Sequence, residues 1–309
     1  MATLLDFRRR IRSVKNTQQI TRAMKFVAAA RLRRAQEAAL AARPYAMELA
    51  RVLRSTMARI ESPEHPLLAV RPENNFLVIV LSGERGLAGA FNSNIMRKAH
   101  EFFRAHQGEG KKITTIPVGK KGRDALRRAG FTFAAEYVNV LARVDFKTAR
   151  EIANLVAELY VKEAIDSVYI IFSEFKSVMV STLTVEKLLP VEKIREDESE
   201  SSSRQKSTDE SQKPGEQKKP DETPIDYIYE QPEEQILAKL LPRYIETQIL
   251  RAMLESSAAE HAARMTAMEA ATNNANDVIE ALTLHMNKVR QAAITKEIIE
   301  IVSGASYGA

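Results

Sequence analysis

Residues 82–92 read SGERGLAGAFN, with Gly83, Gly86 and Gly89 three apart, behind the apolar run FLVIVL (Phe76–Leu81) and ahead of a helical pattern. Strand, glycine turn and helix in that order can let backbone amides cradle a phosphate or a dinucleotide. The spacing is G-x-x-G-x-x-G rather than G-x-G-x-x-G, and no G-K-[ST] follows as in a Walker loop. The competing reading is a tight crossover turn in which glycine supplies backbone angles closed to other residues. Arg85 is exposed in such a turn and is placed to face a carboxylate on a partner.

Other chemistry is sparse. The five histidines are His65, His100, His106, His261 and His285, and no two share metal-ligand spacing with carboxylates. There is no H-E-x-x-H and no G-x-S-x-G elbow. Cysteine is absent, which excludes disulfides, thiolate nucleophiles and Cys-ligated metals. The acidic pair Glu233-Glu234 falls at a helix start, where it complements the helix dipole. No catalytic constellation, cofactor site or metal site is expected, which argues against an enzyme acting alone.

Charge is concentrated at one end. Residues 1–60 hold fourteen Lys/Arg against three Asp/Glu, so this arm carries +11 of a chain total of +6, and the remainder is near −5. Arg8, Arg9, Arg10, Arg12, Lys15, Arg22, Lys25, Arg31, Arg33 and Arg34 suit an acidic protein surface. They suit a nucleic acid as well, in the manner of a basic-region helix. The first residues, MATLLDFRRR, lack the apolar core of a signal peptide. The longest apolar run is far short of the ~20 residues of a membrane span.

Two rods and an insert must position these groups. Composition fits a helical protein: 45% hydrophobic, 28% charged, 6% aromatic and no tryptophan. In residues 1–61, apolar or small side chains at Leu4, Phe7, Ile11, Val14, Gln18 and Thr21 alternate steps of three and four, the coiled-coil pattern. The pattern then shifts through Met24, Ala28 and Leu32 before resuming at Ala35, Ala39, Ala42, Ala46, Leu49 and Leu53. That shift predicts a stutter. Pro44 predicts a kink or a short break. Residues 232–309 repeat the alternation without a fault at Met265, Met268, Thr272, Ala275, Ile279, Leu282, Met286, Val289 and Ala293. Arg243–Ser303 has neither glycine nor proline, enough for ~90 Å of helix. Pro232 marks one possible start and Pro242 a second. Two long rods at opposite ends of the chain most simply pack on each other.

Between the rods, residues 74–190 alternate strand and helix, which predicts a small α/β domain with a mostly parallel sheet. SVYIIFSEFKS and VMVSTLTVEKLLP close it as a hairpin, and Asp145 is the N-cap of a helix before it. Residues 191–224, rich in Ser, Glu and Lys without periodicity, predict a disordered charged surface loop.

The chain resembles a known family, the gamma or central-stalk subunit of F-type ATP synthase. Arg8–Gln36 is similar to the family's N-terminal helix and SGERGLAGAFN to its Ser-Asp-Arg-Gly-Leu-Cys-Gly turn. ITKEIIEIVSGA (Ile294–Ala305) fits its C-terminal signature of Ile-Thr-x-Glu, a further acid and Gly-Ala. The resemblance spans nearly the whole chain. It implies an α/β class fold: a long antiparallel coiled coil of the N- and C-terminal helices with an inserted Rossmann-like α/β domain. The coil would stand inside a ring of three alpha and three beta subunits, one copy per three of each. Its foot would rest on the c-ring beside the epsilon subunit. Attachment to the membrane would be peripheral, through the complex, on the cytoplasmic face of the bacterial inner membrane.

Residue roles follow from the same resemblance. Met24 and Lys25 match a Met-Lys pair near an acidic beta loop. Arg85 matches the arginine of the glycine turn, which pairs with beta carboxylates. Arg290 and Gln291 match an Arg-Gln pair that hydrogen-bonds beta, with Thr295 and Glu297 near the same level. Ile298, Ile299, Ile301 and Val302 would face an apolar sleeve, which accounts for a C-terminus without a polar cap. The implied role is mechanical coupling, with the chemistry of ATP on beta. Ala88 stands where the family often has Cys, Glu84 where it has Asp, and the 191–224 segment is longer than usual. Without cysteine, the redox control of the photosynthetic members is not open to this chain.

Overall fold

A computed structural model describes residues 3–60, 65–106, 108, 111–191 and 232–306. Helix α1 (Leu4–Arg59) starts at a capping box: the Thr3 hydroxyl accepts from the Asp6 amide at 3.3 Å, and the Asp6 carboxylate accepts from the Thr3 amide at 2.9 Å. Helix α5 (Glu233–Ser306) is 74 residues long, about 110 Å. The two run antiparallel. Phe7 meets His285 at a ring separation of 5.0 Å, the Thr21 and Thr272 hydroxyls are 2.8 Å apart, and Lys25 meets Glu269 at 2.6 Å.

Both prolines lie inside continuous helix, so neither the break expected at Pro44 nor the second start expected at Pro242 occurs. Each removes one backbone donor, leaving the carbonyl four residues earlier without its partner. Those carbonyls belong to Leu40 and Ala238, both on the solvent side and open to water.

The expected stutter is also absent. The buried and half-buried positions of α1 include residues 18, 21, 25, 28, 32, 35, 39, 42, 46, 49 and 53, an unbroken alternation of three and four. Lys25, not Met24, takes the seam position, and Met24 is 38% exposed. Lysine serves there because its methylene stem packs between the helices while its ammonium reaches the Glu269 carboxylate. Gln18 with Asn276, Thr21 with Thr272 and Lys25 with Glu269 form three successive polar layers. Such layers penalise every other register and so fix how the helices are aligned.

Five strands form one sheet in the order β3-β2-β1-β4-β5: β1 (Asn75–Leu81), β2 (Lys112–Val118), β3 (Thr132–Phe133), β4 (Ser167–Phe175) and β5 (Ser181–Leu189). The first four are parallel and β5 closes the sheet antiparallel to β4, the expected hairpin. Both faces are covered, which is why β1 is apolar from Phe76 to Leu81. Val78 and Val80 pack under α2 (Phe91–His106) and α3 (Lys120–Arg128). Leu77, Ile79 and Leu81 face α4 (Phe146–Val161), the end of α1 through Leu53 and Met57, and α5 through Leu241, Ile245 and Ile249. The Asp145 carboxylate caps α4, accepting from the Lys147 amide at 3.3 Å.

Where α5 passes between α1 and the sheet, residues 252–262 are all buried. A helix enclosed on every side needs small residues for close approach, and this stretch is AMLESSAAEHA. Shaft and α/β domain thus share one core. The segment read as a charged loop lies, except for Val191, outside the described residues.

Candidate functional site

Two groups of the expected contact residues stand about 35 Å apart along the shaft, taking Ala267 and Arg290 as markers. The upper group is on α5 beyond the reach of α1. Because Phe7 sits opposite His285, α1 begins near the level of Val289, and α5 continues alone from about Ala293 to Ser306, ~20 Å further. Arg290, Gln291, Thr295, Glu297, Ile298, Ile301 and Val302 fall within about 160° of the helix circumference at 3.6 residues per turn. That face is turned roughly 130° from the seam marked by Leu282, Met286, Val289 and Ala293. All seven are exposed, Ile301 at 71% and Val302 at 63%. Ile299, exposed at 61%, continues the apolar surface to the side. Exposed isoleucines on a helix with no partner are an unfilled interface. The Thr295 hydroxyl donates to the Gln291 carbonyl at 3.0 Å, so it lies along the helix.

The lower group joins Lys25 to the glycine turn. Gly89 lies against Ala267, so the turn reaches the shaft half a helical turn from Glu269, the partner of Lys25. Arg85 is exposed at the turn's apex, as expected, while Gly83 and Ala88 behind it are buried.

The turn is not a phosphate cradle. Its inner side is filled by α5: a Cβ on Gly83 would stand 2.9 Å from the Glu260 carboxylate. Gly83 is required for that close approach, and Gly89 for a φ of +55°. The Gly83 amide, which a phosphate would need, donates to the Asn92 side chain at 2.8 Å. Among the described residues no group of three or more His, Asp or Glu could hold a metal ion.

The sequence reading missed the groups behind this turn. Glu260 is 4% exposed and pairs with Arg264 at 2.5 Å. Arg264 also faces Nδ1 of His261 at 3.2 Å. Burial, with the Arg264 and Arg31 cations nearby, pushes the His261 pKa down to about 4, so the ring is neutral and can accept from the guanidinium. Leu87 was missed too: it holds a φ of +61° and is 62% exposed. No spacing rule marks these residues, since Glu260 and Arg264 read as an ordinary surface pair four apart.

Comparison with known proteins agrees with this architecture. The family described as ATP synthase matches residues 3–306. The ATP synthase gamma chain of Solibacter usitatus is 46% identical and that of Pelotomaculum thermopropionicum 45%, each alignment covering 99% of both chains. A chain from the cryo-EM structure of Euglena gracilis mitochondrial ATP synthase (OSCP/F1/c-ring, rotational state 3) superposes with a TM-score of 0.64. It shares 20% identity over 98% of this chain and 93% of that one, a likeness of fold. With the coil, the inserted sheet and the bare C-terminal tip in one polypeptide, the chain belongs to the ATP synthase gamma-chain family.

Proposed function

We propose that this chain is the central-stalk rotor of a bacterial F-type ATP synthase, a non-catalytic subunit that couples ion-driven rotation to nucleotide binding on three beta subunits. The observation that carries the reading is a stiff two-helix shaft sharing one core with its foot, with an exposed apolar tip projecting past its partner helix. Torque applied at the foot reaches the tip without crossing a flexible joint. Helices 4–59 and 233–306 form the shaft and residues 74–190 the foot.

The partners are three alpha and three beta subunits around one copy of this chain, epsilon beside the foot, and the c-ring beneath it. No described helix is long and apolar enough to cross a membrane, so attachment falls to the c-ring. The complex sits at the cytoplasmic face of the inner membrane. Arg290 and Gln291 hydrogen-bond a beta subunit near the sleeve, with Thr295 and Glu297 at the same level and Ile298, Ile301 and Val302 against the sleeve wall. Met24, Lys25 and Arg85 meet acidic beta loops lower down. The shaft is asymmetric, so its sides differ in what they offer each beta site. Switching a site from 1:99 to 99:1 takes about 5.5 kcal/mol of differential contact, the scale of two or three charge-assisted hydrogen bonds. Duplex binding by the basic arm has no comparable support, because α5 covers one side of α1 along most of its length.

Co-expression with alpha and beta should give a complex with one copy of this chain per three of each, and the purified chain alone should hydrolyse no ATP. Arg290→Ala should lower coupled ATP synthesis about tenfold or more, the worth of one charge-assisted bond. The melting temperature should hold, since an exposed side chain contributes less than ~1 kcal/mol to stability. Full coupling in this variant would remove Arg290 from the contact set, and failure to assemble would remove the rotor reading.

A further inference from the structure

We propose that Glu260 and Arg264 are positioning residues that clamp the backbone of the Gly83–Gly89 turn to the shaft helix, so that load on Arg85 passes directly into α5. The proposal rests on the assignment of Arg85 as a partner contact.

The turn is gripped from two sides. From α5, the buried Glu260 carboxylate occupies the space a side chain on Gly83 would need. Arg264, held by that carboxylate at 2.5 Å, brings its Nη2 to 3.5 Å from the carbonyls of both Arg85 and Gly86. From α2, Asn92 accepts the Gly83 amide at 2.8 Å and donates to the Arg85 carbonyl at 3.4 Å. Backbone polar groups on both sides of Arg85 are thus engaged, while its guanidinium makes no ion pair with a described residue. A buried ion pair adds little stability over an apolar pair of similar volume, so its use here is placement. The φ of +61° at Leu87 fits the same account, because a strained, exposed residue persists only where its surroundings hold it.

The geometry also explains a mechanical need. Without the clamp, force on Arg85 would reach the shaft only through α2, β1 and the sheet. With it, the path from the Arg85 carbonyl to the shaft is one hydrogen bond, donated by Arg264.

The test uses the full-length chain, alone and in complex with alpha and beta in membranes. In Glu260→Ala, hydrogen exchange at the Gly83 amide, which the held turn keeps bonded to Asn92, should speed up about tenfold or more, with amides of β1 and β2 unchanged. Glu260→Gln keeps an acceptor oxygen and should restore most of the protection, which a merely space-filling role would not predict. In the complex, Glu260→Ala should lower ion pumping per ATP hydrolysed, and adding it to Arg85→Ala should cause no further loss. Unchanged Gly83 exchange in Glu260→Ala overturns the clamp whatever the coupling shows. Additive losses overturn the route through Arg85. A freed turn with Arg85→Ala fully coupled overturns the contact assignment itself, leaving the rotor reading to the assembly experiment.

Discussion

Glu255→Gln is expected to stabilise the chain by about 1–3 kcal/mol at pH 8 and to change nothing at pH 4. Glu255 is 4% exposed where α5 meets the β4–β5 hairpin, and one of its carboxylate oxygens has no hydrogen-bond partner. Burial pushes its pKa from 4.5 up to about 7. Arg251 and Arg43 oppose the shift, while Glu174 and Glu186 add to it. Arg251 is already engaged by Glu186 at 2.5 Å. A raised carboxyl pKa means that the unfolded chain ionises first as pH rises. Stability is therefore lost between pH 4.5 and 7, and above 7 the loss is complete. His261 runs the other way. Its pKa is depressed from 6.5 to about 4, so stability is gained as pH rises through that window. The contributions of these two groups cancel between about pH 4.5 and 6.5. Removing the Glu255 term leaves the His261 slope uncovered, so the variant should gain stability relative to wild type with rising pH and then level off. Denaturant unfolding of both proteins from pH 4 to 8 reads this difference. No gain, or a loss, at pH 8 would mean that Glu255 is ionised throughout and satisfied by Arg251.

The outline of the fold was legible because it rests on periodicity. Heptad steps, alternating strand and helix, and the long stretch free of glycine and proline are each set by geometry that repeats along the chain. The errors came where one residue departed from its stereotype. Met24 is apolar and was placed in the seam, but Lys25 occupies it, because a lysine stem is as long and greasy as methionine and a carboxylate waits on the other helix. Pro44 reads as a kink or a short break and Pro242 as a second helix start, yet both lie in continuous helix, and the only loss at each is one hydrogen bond on the wet side of a helix held by packing. The glycine turn was read correctly as a turn, and its position after a buried strand could be foreseen. What fills its inner side could not, since Glu260 lies far along the chain and nothing local distinguishes it from a surface glutamate. The upper contact face was legible only by resemblance: exposed isoleucines beyond a coil have no meaning until something covers them.

Gly119→Ala should disrupt the foot while sparing the shaft, and it is the substitution with the largest expected cost. Gly119 follows β2 with a φ of +104°, and a Cβ there would lie 2.0 Å from the backbone carbonyl oxygen of Ser82. Backbone cannot rotate aside as a side chain can. The neighbourhood is also tied on every side. The Ser82 amide donates to the Val118 carbonyl at 2.8 Å, the Gly119 amide to Tyr137 at 2.7 Å, and the Gly122 amide to the Ser82 hydroxyl at 2.7 Å. Relieving the clash separates the carboxyl ends of β1 and β2 and breaks these bonds. Strain of ~1–3 kcal/mol adds to an overpacking cost of similar size, roughly 4 kcal/mol or more in all. The melting temperature of the foot should fall by about 10 °C. The seam between α1 and α5 above Lys25 does not touch this region, so about a third of the helical circular dichroism should survive the first transition. Ser82 leads straight into the turn that carries Arg85, so coupling should fail at temperatures where the shaft is still intact. A Gly119→Ala chain melting within about a degree of wild type would mean that β1 and β2 can part here at little cost. The foot would then be too soft at this corner to hold the turn against load, whatever Glu260 does from the shaft.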